Sequence, residues 1–410
     1  MEEQTSRSLE RRIRRHVIAG SHRYFAVFQP GFEEAVRQEL QEMGVAEIKQ
    51  QVPGGLEFEG SLIDSYRINL CSATLTRLLL RLGAFKALHE SRFRKRMGEI
   101  PWELHLAPST LVDFSITCRR SRLRHTGMLR ELAAKAVSER LASQGFAGTL
   151  PEGKLSPCQT VFLRFEEDVC TVSLDTSGEP LYRRNLRTHV TEAPLRETLA
   201  ALILREAGLD RCDLLLDPMG GSGVFSLEGA RFYQRTPPGL TRDFIFQSWP
   251  AFRSPAFFHL RKCLQEESPP SMDGIVQYAD KSGKALQAAL DNFTAAGLAD
   301  RILVHRRDFF QEPPVIPSGR RALLVLNPPY GKRLDTGESP PRLYRKIGAV
   351  LKSYGKECGW AVIVPDRECE AALGLTWERK IPFQNGGLRV AVLIRRAVET
   401  GRIFRREAEE

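Results

Sequence analysis

Short apolar runs alternate with amphipathic stretches in the C-terminal half of the chain. The runs DLLLDP, GIVQYAD, ILVHRRD, ALLVLNPP and GWAVIVPD read as strands, and KSGKALQAALDNFTAAGL and RLYRKIGAVLKSYG have apolar residues at helical spacing. Strands that are apolar on both faces and alternate with helices are typical of a parallel sheet covered by helices on both sides. We therefore predict an α/β domain with a parallel sheet over residues 177–410.

The N-terminal part of the chain has a different, α+β pattern. YFAVFQ and GLEFEG read as strands on either side of a helix in PGFEEAVRQELQEMG. Further on, IDSYRINLCSATLTRLLLRLG and GMLRELAAKAVSERLASQG have helical spacing, LVDFSITCRR is a strand, and TVFLRFEEDVCTVSLDTS is two strands joined by EED. The pattern predicts a charged arm, flexible or a short helix, over 1–22 and α+β regions over 23–64 and 65–176.

The ends of the predicted parallel strands share a chemical feature. The strands end in Asp217, Asp280, Asp308 and Asn327, and the carboxyl ends of such strands are where ligands bind. A single Asp at such a place is also a common helix cap. Because polar residues follow consecutive strands together with a glycine-rich turn, the pattern predicts one ligand site at this edge.

The glycine-rich turn MGGSG indicates which ligand this is. Gly220, Gly221 and Gly223 allow the backbone to approach a ligand closely, and the turn matches neither GxGxxG nor the phosphate loop GxxxxGK[ST]. Asp217, which precedes the turn, would repel a pyrophosphate but suits the ammonium and sulfonium charges of S-adenosylmethionine. In this hypothesis Asp280 accepts hydrogen bonds from the ribose hydroxyls.

Asp308 and Phe309 complete the predicted cofactor site. Asp308 can accept a hydrogen bond from the adenine amino group, and the ring of Phe309 can pack beside the adenine. The predicted cofactor-binding residues are Asp217, Pro218, Gly220, Gly221, Gly223, Asp280, Asp308, Phe309 and Asn327.

Charge adds a second partner to this picture. The formal net charge of +10 suits a polyanion, although it is also compatible with a basic surface that has no such partner. The basic residues are clustered, mostly before the predicted parallel sheet, which suggests a separate region for binding phosphates. The candidate phosphate contacts are Arg92, Arg94, Lys95, Arg96, Arg119, Arg120, Arg122, Arg124, Arg183 and Arg184.

Other compositional features argue against several classes of protein. The sequence contains no apolar stretch of transmembrane length, and its first residues have no apolar core of signal-peptide length. Its eight cysteines form no CxxC pair, and no Cys/His cluster has zinc spacing. We expect a cytoplasmic protein without a membrane partner, a structural metal or disulfides.

Two motifs resemble those of a known enzyme class. DPMGGSGVF resembles the cofactor loop DPxxGSG of amino-methylating, S-adenosylmethionine-dependent class I methyltransferases, and NPPYG resembles their catalytic motif [DN]PP[YFW]. YFAVFQPGFEEAVRQEL and YRINLCSATLTRLLLRLGAF are similar to the N-terminal ferredoxin-like and THUMP regions of bacterial 23S rRNA guanine-N2 methyltransferases. APLRETLAALIL, PPGLTRDFIFQSW, NPPYGKRLDTGESPPRLY and NGGLRVAVL also resemble that family, so the resemblance extends from Tyr24 to Ile394.

The resemblance implies a fold and a domain order. It implies a Rossmann-like class I methyltransferase domain over 177–410, with a mostly parallel seven-stranded sheet, preceded by a ferredoxin-like domain over 23–64 and an RNA-binding THUMP domain over 65–176. It also identifies the stretch of about 233–270 as an insertion. This insertion is expected to be a loop over the site or a passive surface elaboration.

The resemblance further implies a reaction, namely methylation of the exocyclic N2 amine of a guanine in 23S rRNA or a large-subunit precursor. Asn327 Oδ1 and the Pro328 carbonyl would accept the two amine hydrogens, while Tyr330 would stack on the base. The base has to be unpaired or flipped to enter such a pocket. The catalytic residues implied are Asn327, Pro328, Pro329 and Tyr330.

The sequence departs from the family at the cofactor loop. Met219 and Gly220 stand where Phe and Cys are usual, and Val224 stands where Thr is usual. The backbone role of the turn survives these changes, but the hydroxyl at the third position is lost. The affinity for the cofactor is therefore expected to differ.

Three alternatives share parts of this pattern. A tRNA guanine-N2 methyltransferase has the same motifs and a THUMP region. An inactive RNA-binding or ribosome assembly factor could retain the fold without catalysis, although the intact NPPY and glycine turn argue against it. A DNA adenine methyltransferase shares the catalytic motifs but needs a DNA-recognition domain, which the sequence does not suggest.

Overall fold

The computed structural model describes residues 2–108, 110–146, 158–184, 195–266, 274–329 and 339–398. The chain divides into two compact units. The first unit comprises residues 1–28, 36–183 and 237–267, and the second comprises 29–35, 184–236 and 268–410.

A seven-stranded sheet forms the centre of the first unit, in the order β2-β3-β1-β4-β7-β6-β5. Its strands are β1 (His22–Val27), β2 (Ile48–Val52), β3 (Gly55–Gly60), β4 (Arg77–Lys86), β5 (Leu111–Arg119), β6 (Cys158–Glu166) and β7 (Val169–Asp175). Strand β1 pairs antiparallel with both β3 and β4. The predicted regions 23–64 and 65–176 therefore share one continuous sheet.

The N-terminal helices are α1 (Glu2–Ile13), α2 (Glu33–Glu42), α3 (Leu62–Cys71), α4 (Glu90–Glu99) and α5 (Thr126–Ser143). The predicted charged arm is helical, because α1 is followed directly by a π-helix over Arg14–Ile18. Ile13 and Val17 are buried, and the Arg12 guanidinium lies 2.5 Å from the buried Glu103 carboxylate. Burial of two apolar side chains and one ion pair holds this segment in place.

One helix predicted from spacing is wrong in its second half. The segment IDSYRINLCSATLTRLLLRLG forms α3 only as far as Cys71, and Arg77–Lys86 is strand β4. Leu78, Leu79 and Leu80 are all buried in β4. A continuous apolar run fits a helix or a doubly covered strand equally well, so spacing alone misassigned it.

The second unit contains a seven-stranded sheet in the order β10-β9-β8-β11-β12-β14-β13. Its strands are β8 (Leu214–Asp217), β9 (Ile275–Asp280), β10 (Ile302–Arg306), β11 (Ala322–Leu326), β12 (Cys358–Val364), β13 (Arg379–Asn385) and β14 (Leu388–Arg395). Strands β8 to β12 are parallel, whereas β14 is antiparallel to both β12 and β13. This confirms the predicted mostly parallel seven-stranded sheet.

The remaining helices are α6 (Glu197–Glu206), α7 (Val224–Gln234), α8 (Ser254–Glu266), α9 (Gly283–Ala295), α10 (Pro340–Ser353) and α11 (Arg367–Leu373). All residues of β11 and β12 are buried, as expected for central strands covered on both faces. Tyr344 of α10 and Trp360 of β12 belong to one core cluster on the sheet. None of the helices in the described part of the chain is long and apolar enough to cross a membrane.

The predicted insertion is not a loop of the second unit. Residues 237–267 belong to the first unit, where Phe246 stacks on Tyr66 with ring centroids 4.6 Å apart. The Trp249 indole donates to Gln159 Oε1 at 2.7 Å. Arg242 is buried and donates to the carbonyl of Glu179 at 2.6 Å. These contacts hold the insertion in the first unit, and the expectation that it covers the site stays a prediction.

Candidate active site

The point at which the strand order of the second sheet reverses lies between β8 and β11. Leu216 of β8 is in register with Leu324 of β11, so the parallel strands carry Asp217 and Asn327 to the same edge. Strand β8 runs beside β9, with Asp217 opposite Tyr278. In open α/β sheets the crevice at such a switch point is the usual ligand site.

The glycine turn joins β8 to α7 in a conformation that its glycines require. Gly221 and Gly223 have φ of 54° and 80°, in the left-handed region. At Gly220 and Gly223 a Cβ would lie 2.3 Å from the Tyr278 ring and 2.4 Å from the Phe293 ring. The turn therefore needs glycine at all three positions. Gly221 is needed for its backbone conformation, Gly220 for close packing, and Gly223 for both.

Asp217 is fully buried beneath this turn. Its Oδ2 accepts hydrogen bonds from the Ser226 hydroxyl at 2.8 Å and the Ser226 amide at 3.3 Å. Its Oδ1 is buried and has no donor among the described residues. Burial raises the pKa of the Asp217 carboxyl to about 7, against the lowering effect of Ser226 and with a further rise from Asp280. A cationic ligand would stabilise the ionised form of this carboxyl.

Asp280 ends β9 and is held by two backbone amides. Its Oδ2 accepts from Gly221 N at 3.0 Å, and its Oδ1 accepts from Ser282 N at 2.8 Å. Each carboxylate oxygen can accept a further hydrogen bond. The carboxylate is thus fixed in orientation, beside the glycine turn, with capacity left for two hydroxyl donors.

Asp308 and Phe309 lie just beyond β10. Asp308 Oδ1 accepts from Phe310 N at 2.9 Å, which orders the turn. The Phe309 side chain is buried and belongs to the core cluster, and it also lines a small cavity of about 20 Å³. The cavity is walled by residues from the ends of three neighbouring strands, among them Leu216, Asp217, Pro218, Tyr278, Ala279 and His305. That the Phe309 ring packs beside an adenine stays a prediction.

Asn327 follows β11 at a rigid strand end. Pro328 and Pro329 have no N–H with which to continue the sheet, and β11 ends at Leu326. Asn327 Oδ1 is buried and receives no hydrogen bond from any described residue. Tyr330 lies outside the described residues. The strand end therefore presents an acceptor oxygen that requires a donor, because a buried acceptor without one is costly.

The predicted phosphate contacts of α4 are exposed. Arg92, Arg94, Lys95 and Arg96 surround the helix on its solvent side, opposite the buried Phe93. Two of these four are paired with carboxylates, Arg94 with Glu139 at 2.8 Å and Arg96 with Glu99 at 2.7 Å. Within the described residues, no ion pair involves the other two.

A second exposed basic cluster lies between β5 and α5. Arg119, Arg120 and Arg122 lie 3.7–3.8 Å from the carboxylates of Glu166, Glu167 and Asp168, which lie in and beside the β6–β7 turn. Arg124 is exposed. The cluster is thus cationic but partly balanced by its neighbours, a feature that local sequence does not reveal.

The last two basic candidates differ from each other. Arg183 is exposed and pairs with Glu179 at 2.6 Å. Arg184 is buried, and its guanidinium pairs with the buried Glu228 carboxylate in the second unit. The prediction that Arg184 contacts RNA is wrong, because a buried and paired guanidinium cannot reach a phosphate.

Sequence reasoning missed the residues that contact Asp217 and the glycine turn and hold them in place. Ser226 donates to Asp217, Tyr278 contacts the glycine turn, and Phe293 packs against Gly223. A signal was available for Tyr278, which stands two residues before Asp280 and so on the same face of β9. None of the described His, Cys, Asp and Glu side chains form a group that could hold a metal ion.

The chain is similar to proteins from several bacteria. Ribosomal RNA large subunit methyltransferase K/L of Methylococcus capsulatus is 31% identical over 376 residues, covering 89% of this chain and 50% of the relative. The putative RNA methyltransferase slr0064 of Synechocystis sp. is 28% identical over 373 residues, covering 90% and 95%. The chain thus spans about half the length of the K/L relatives that it matches.

Solved structures share the fold. The crystal structure of SMU.472, a putative methyltransferase complexed with SAH, has a TM-score of 0.82 at 23% identity, covering 93% of this chain and 99% of the other. TrmN from Thermus thermophilus has a TM-score of 0.67 at 17% identity, covering 92% and 100%. These likenesses confirm the class I methyltransferase architecture.

Two families match the sequence directly. Residues 23–79 match the RlmL ferredoxin-like domain. The matched range extends past the predicted domain boundary at 64 and ends within the first residues of β4. Residues 184–391 match UPF0020, described as the RMKL-like methyltransferase domain. Together with the switch-point site, these matches show that the chain belongs to the UPF0020 family of RMKL-like methyltransferase domains.

Proposed function

We propose that the protein transfers the methyl group of S-adenosylmethionine to the exocyclic N2 amine of a guanine in 23S rRNA. The observation that carries the proposal is the buried Asn327 Oδ1, which has no donor among the described residues, at the switch point beside a glycine turn. The K/L relatives, named as large-subunit rRNA methyltransferases, support rRNA as the substrate. The RMKL-like domain family supports methyl transfer as the reaction.

The residues present fit S-adenosylmethionine, which is the cofactor of this family and supplies the methyl group on a sulfonium. Asp217 Oδ1 is a buried carboxyl oxygen without a described donor, and the cationic amino-acid moiety would supply one. The fixed Asp280 carboxylate would accept the ribose hydroxyls. Asp308 and Phe309 would hold the adenine, and the backbone of Gly220–Gly223 would lie against the cofactor.

Asn327 would bind the substrate amine directly. A guanine amine is a weak nucleophile because its lone pair is delocalised into the ring. Acceptance of its two hydrogens by Asn327 Oδ1 and the Pro328 carbonyl would direct the lone pair toward the methyl group. Tyr330 would stack on the base, and positioning supplies most of the catalysis. Asn327 is neutral, so the product proton leaves to water after transfer.

The exposed cations of the first unit would bind the RNA backbone. The clusters on α4 and between β5 and α5 are separate from the switch-point site in sequence, and RNA is recognised largely through shape, phosphates and unstacked bases. The proposal assigns phosphate contacts to Arg92, Arg94, Lys95 and Arg96, and to Arg119, Arg120, Arg122, Arg124 and Arg183.

Substitution of Asn327 tests the proposed role of its side chain. Asn327→Ala should lower kcat about 100-fold or more, because an interaction that orients the reacting amine is lost, as for other single polar groups that act on a transition state. Binding of S-adenosylhomocysteine, measured by calorimetry, should change little. Asn327→Asp is the matched control, since it keeps an acceptor oxygen and the motif allows Asp. A normal rate for Asn327→Ala with cofactor bound would refute the role.

A further inference from the structure

Tyr278 contacts the glycine turn at two adjacent residues. It is fully buried in β9, and its hydroxyl donates to the Gly221 carbonyl at 2.7 Å. Its ring lies against Gly220, where a Cβ would meet ring atoms at 2.3 and 2.4 Å. One side chain therefore fixes both the position of Gly220 and the orientation of the next peptide.

The same turn is held by further contacts from β9 and α9. Gly220 N donates to the Ala279 carbonyl at 3.1 Å, and Gly221 N donates to Asp280 Oδ2 at 3.0 Å. The Phe293 ring meets the Tyr278 ring edge-on, with centroids 5.5 Å apart, and packs under Gly223. Tyr278 thus lies between the carboxylate of the site and the aromatic support of the turn.

The Tyr278 phenol acts here as a hydrogen-bond donor only. Burial raises its pKa, and the neighbouring Asp280 and Asp217 carboxyls raise it further, so the hydroxyl keeps its proton. The Gly221 carbonyl accepts from this hydroxyl, while the Gly221 amide donates to Asp280 and the residue lies in the left-handed region. Loss of the hydroxyl would leave the carbonyl free to rotate toward another partner.

This arrangement restricts position 220 to glycine. The Tyr278 ring occupies the space into which any side chain at position 220 would project. A smaller residue at 278 would be needed to accommodate one.

We propose that Tyr278 is a positioning residue for the cofactor turn and that Gly220 and Tyr278 form an interdependent pair. The ring of Tyr278 takes the place of a side chain at 220, and its hydroxyl sets the Gly221 peptide in the orientation that the cofactor contacts. The inference rests on the proposed use of this turn for S-adenosylmethionine.

Binding of S-adenosylhomocysteine in the absence of RNA tests the role of the hydroxyl. Tyr278→Phe should raise the Kd for S-adenosylhomocysteine about tenfold, which is the effect expected for the loss of one net hydrogen bond. The KM for S-adenosylmethionine should rise in parallel while kcat changes little. The matched control is Tyr233→Phe, which removes the buried hydroxyl that donates to the Cys212 carbonyl at 3.0 Å and does not contact the turn. The control should leave the Kd unchanged.

A double-mutant cycle tests the pairing. Gly220→Cys alone should abolish measurable binding, and the added change Tyr278→Ala should restore at least about a tenth of the wild-type affinity, because neighbouring residues that exclude each other couple strongly. Apo-protein thermal melts identify any variant that fails to fold.

Two results would overturn the inference. The first is a Kd of Tyr278→Phe for S-adenosylhomocysteine that lies within twofold of the Kd of both the wild type and Tyr233→Phe. The second is a double variant that binds S-adenosylhomocysteine no more tightly than Gly220→Cys does. If the wild-type protein bound no S-adenosylhomocysteine, the proposed function would fail together with this inference. Normal wild-type binding with either of the two results above would overturn the inference alone.

Discussion

At the scale of single residues, the site depends on two buried oxygens without described donors. Asp217 Oδ1 and Asn327 Oδ1 lie at the ends of adjacent strands. A buried acceptor without a donor costs free energy, about 1–3 kcal/mol in the folded state. Such a cost is retained where a ligand supplies the missing donor, which is the physical reason for placing cofactor and substrate here.

The buried Asp217 carboxyl predicts a pH dependence of stability. Its folded pKa of about 7 lies above that of an unfolded Asp. Between about pH 4 and the folded pKa, the folded protein keeps a proton that the unfolded chain releases. The free energy of unfolding therefore falls as pH rises through this window, and the Asp217 contribution is constant above it.

Asp217→Asn should remove this dependence. The melting temperature of the apo variant minus that of the wild type should be larger at pH 8 than at pH 4.5. The affinity of the variant for S-adenosylmethionine should fall. Asp300→Asn, at an exposed carboxylate, is the control and should show no pH-dependent gain. If the melting temperatures of Asp217→Asn and the wild type differed by the same amount at both pH values, the raised pKa of the buried Asp217 carboxyl would be contradicted.

The residue scale also shows what a sequence can and cannot give. Asp217, Asp280 and Asn327 could be identified because strand ends and parallel order place them at one edge. Arg184 could not be distinguished from Arg183, since its burial depends on Glu228, which is distant in sequence. Adjacent arginines with the same local context thus have different roles.

At the scale of elements, the helix α4 offers a direct test of RNA binding. Arg92 and Lys95 form no ion pair within the described structure, whereas Arg94 and Arg96 on the same helix are paired. Cations without such partners are expected to neutralise phosphates more fully and so to displace more of the counterions condensed on the RNA.

Arg92→Gln/Lys95→Gln should lower the salt dependence of RNA affinity. Each phosphate contact on a single strand contributes about −0.7 to the slope of log K against log salt, so the slope should become less steep by about 1.4. Arg94→Gln/Arg96→Gln is a control with the same change in charge, and its effect should be smaller. Filter binding over a salt series measures both. Equal slopes for wild type and the Arg92/Lys95 variant would exclude α4 as a phosphate contact.

Elements differed in how well the pattern predicted them. The buried strands β8, β9 and β11 could be read as apolar runs with turn signals after them. Strand β13 was not predicted, because Pro382 within it has no N–H to donate to a neighbouring strand and argues against a strand. Strand β4 was taken for a helix, since a run of leucines has no period of its own.

At the scale of the whole molecule, chain order and structural units do not coincide. Residues 237–267 lie within the methyltransferase sequence but pack in the first unit through Phe246, Trp249 and Arg242. Sequence reasoning placed them in the predicted domain over 177–410, because predicted strands of that domain lie on both sides of them in the sequence. Their packing partners, Tyr66 and Gln159, are far away in sequence and could not be inferred from it.

The reaction on RNA tests the central claim most directly. Total RNA from cells lacking this protein would be incubated with the enzyme and methyl-labelled S-adenosylmethionine, and the nucleosides analysed by mass. We predict label in N2-methylguanosine from large-subunit rRNA and none with Asn327→Ala. Label in tRNA would favour the tRNA alternative. Label in methyladenosine, or no label in rRNA although the cofactor binds, would contradict the proposed reaction.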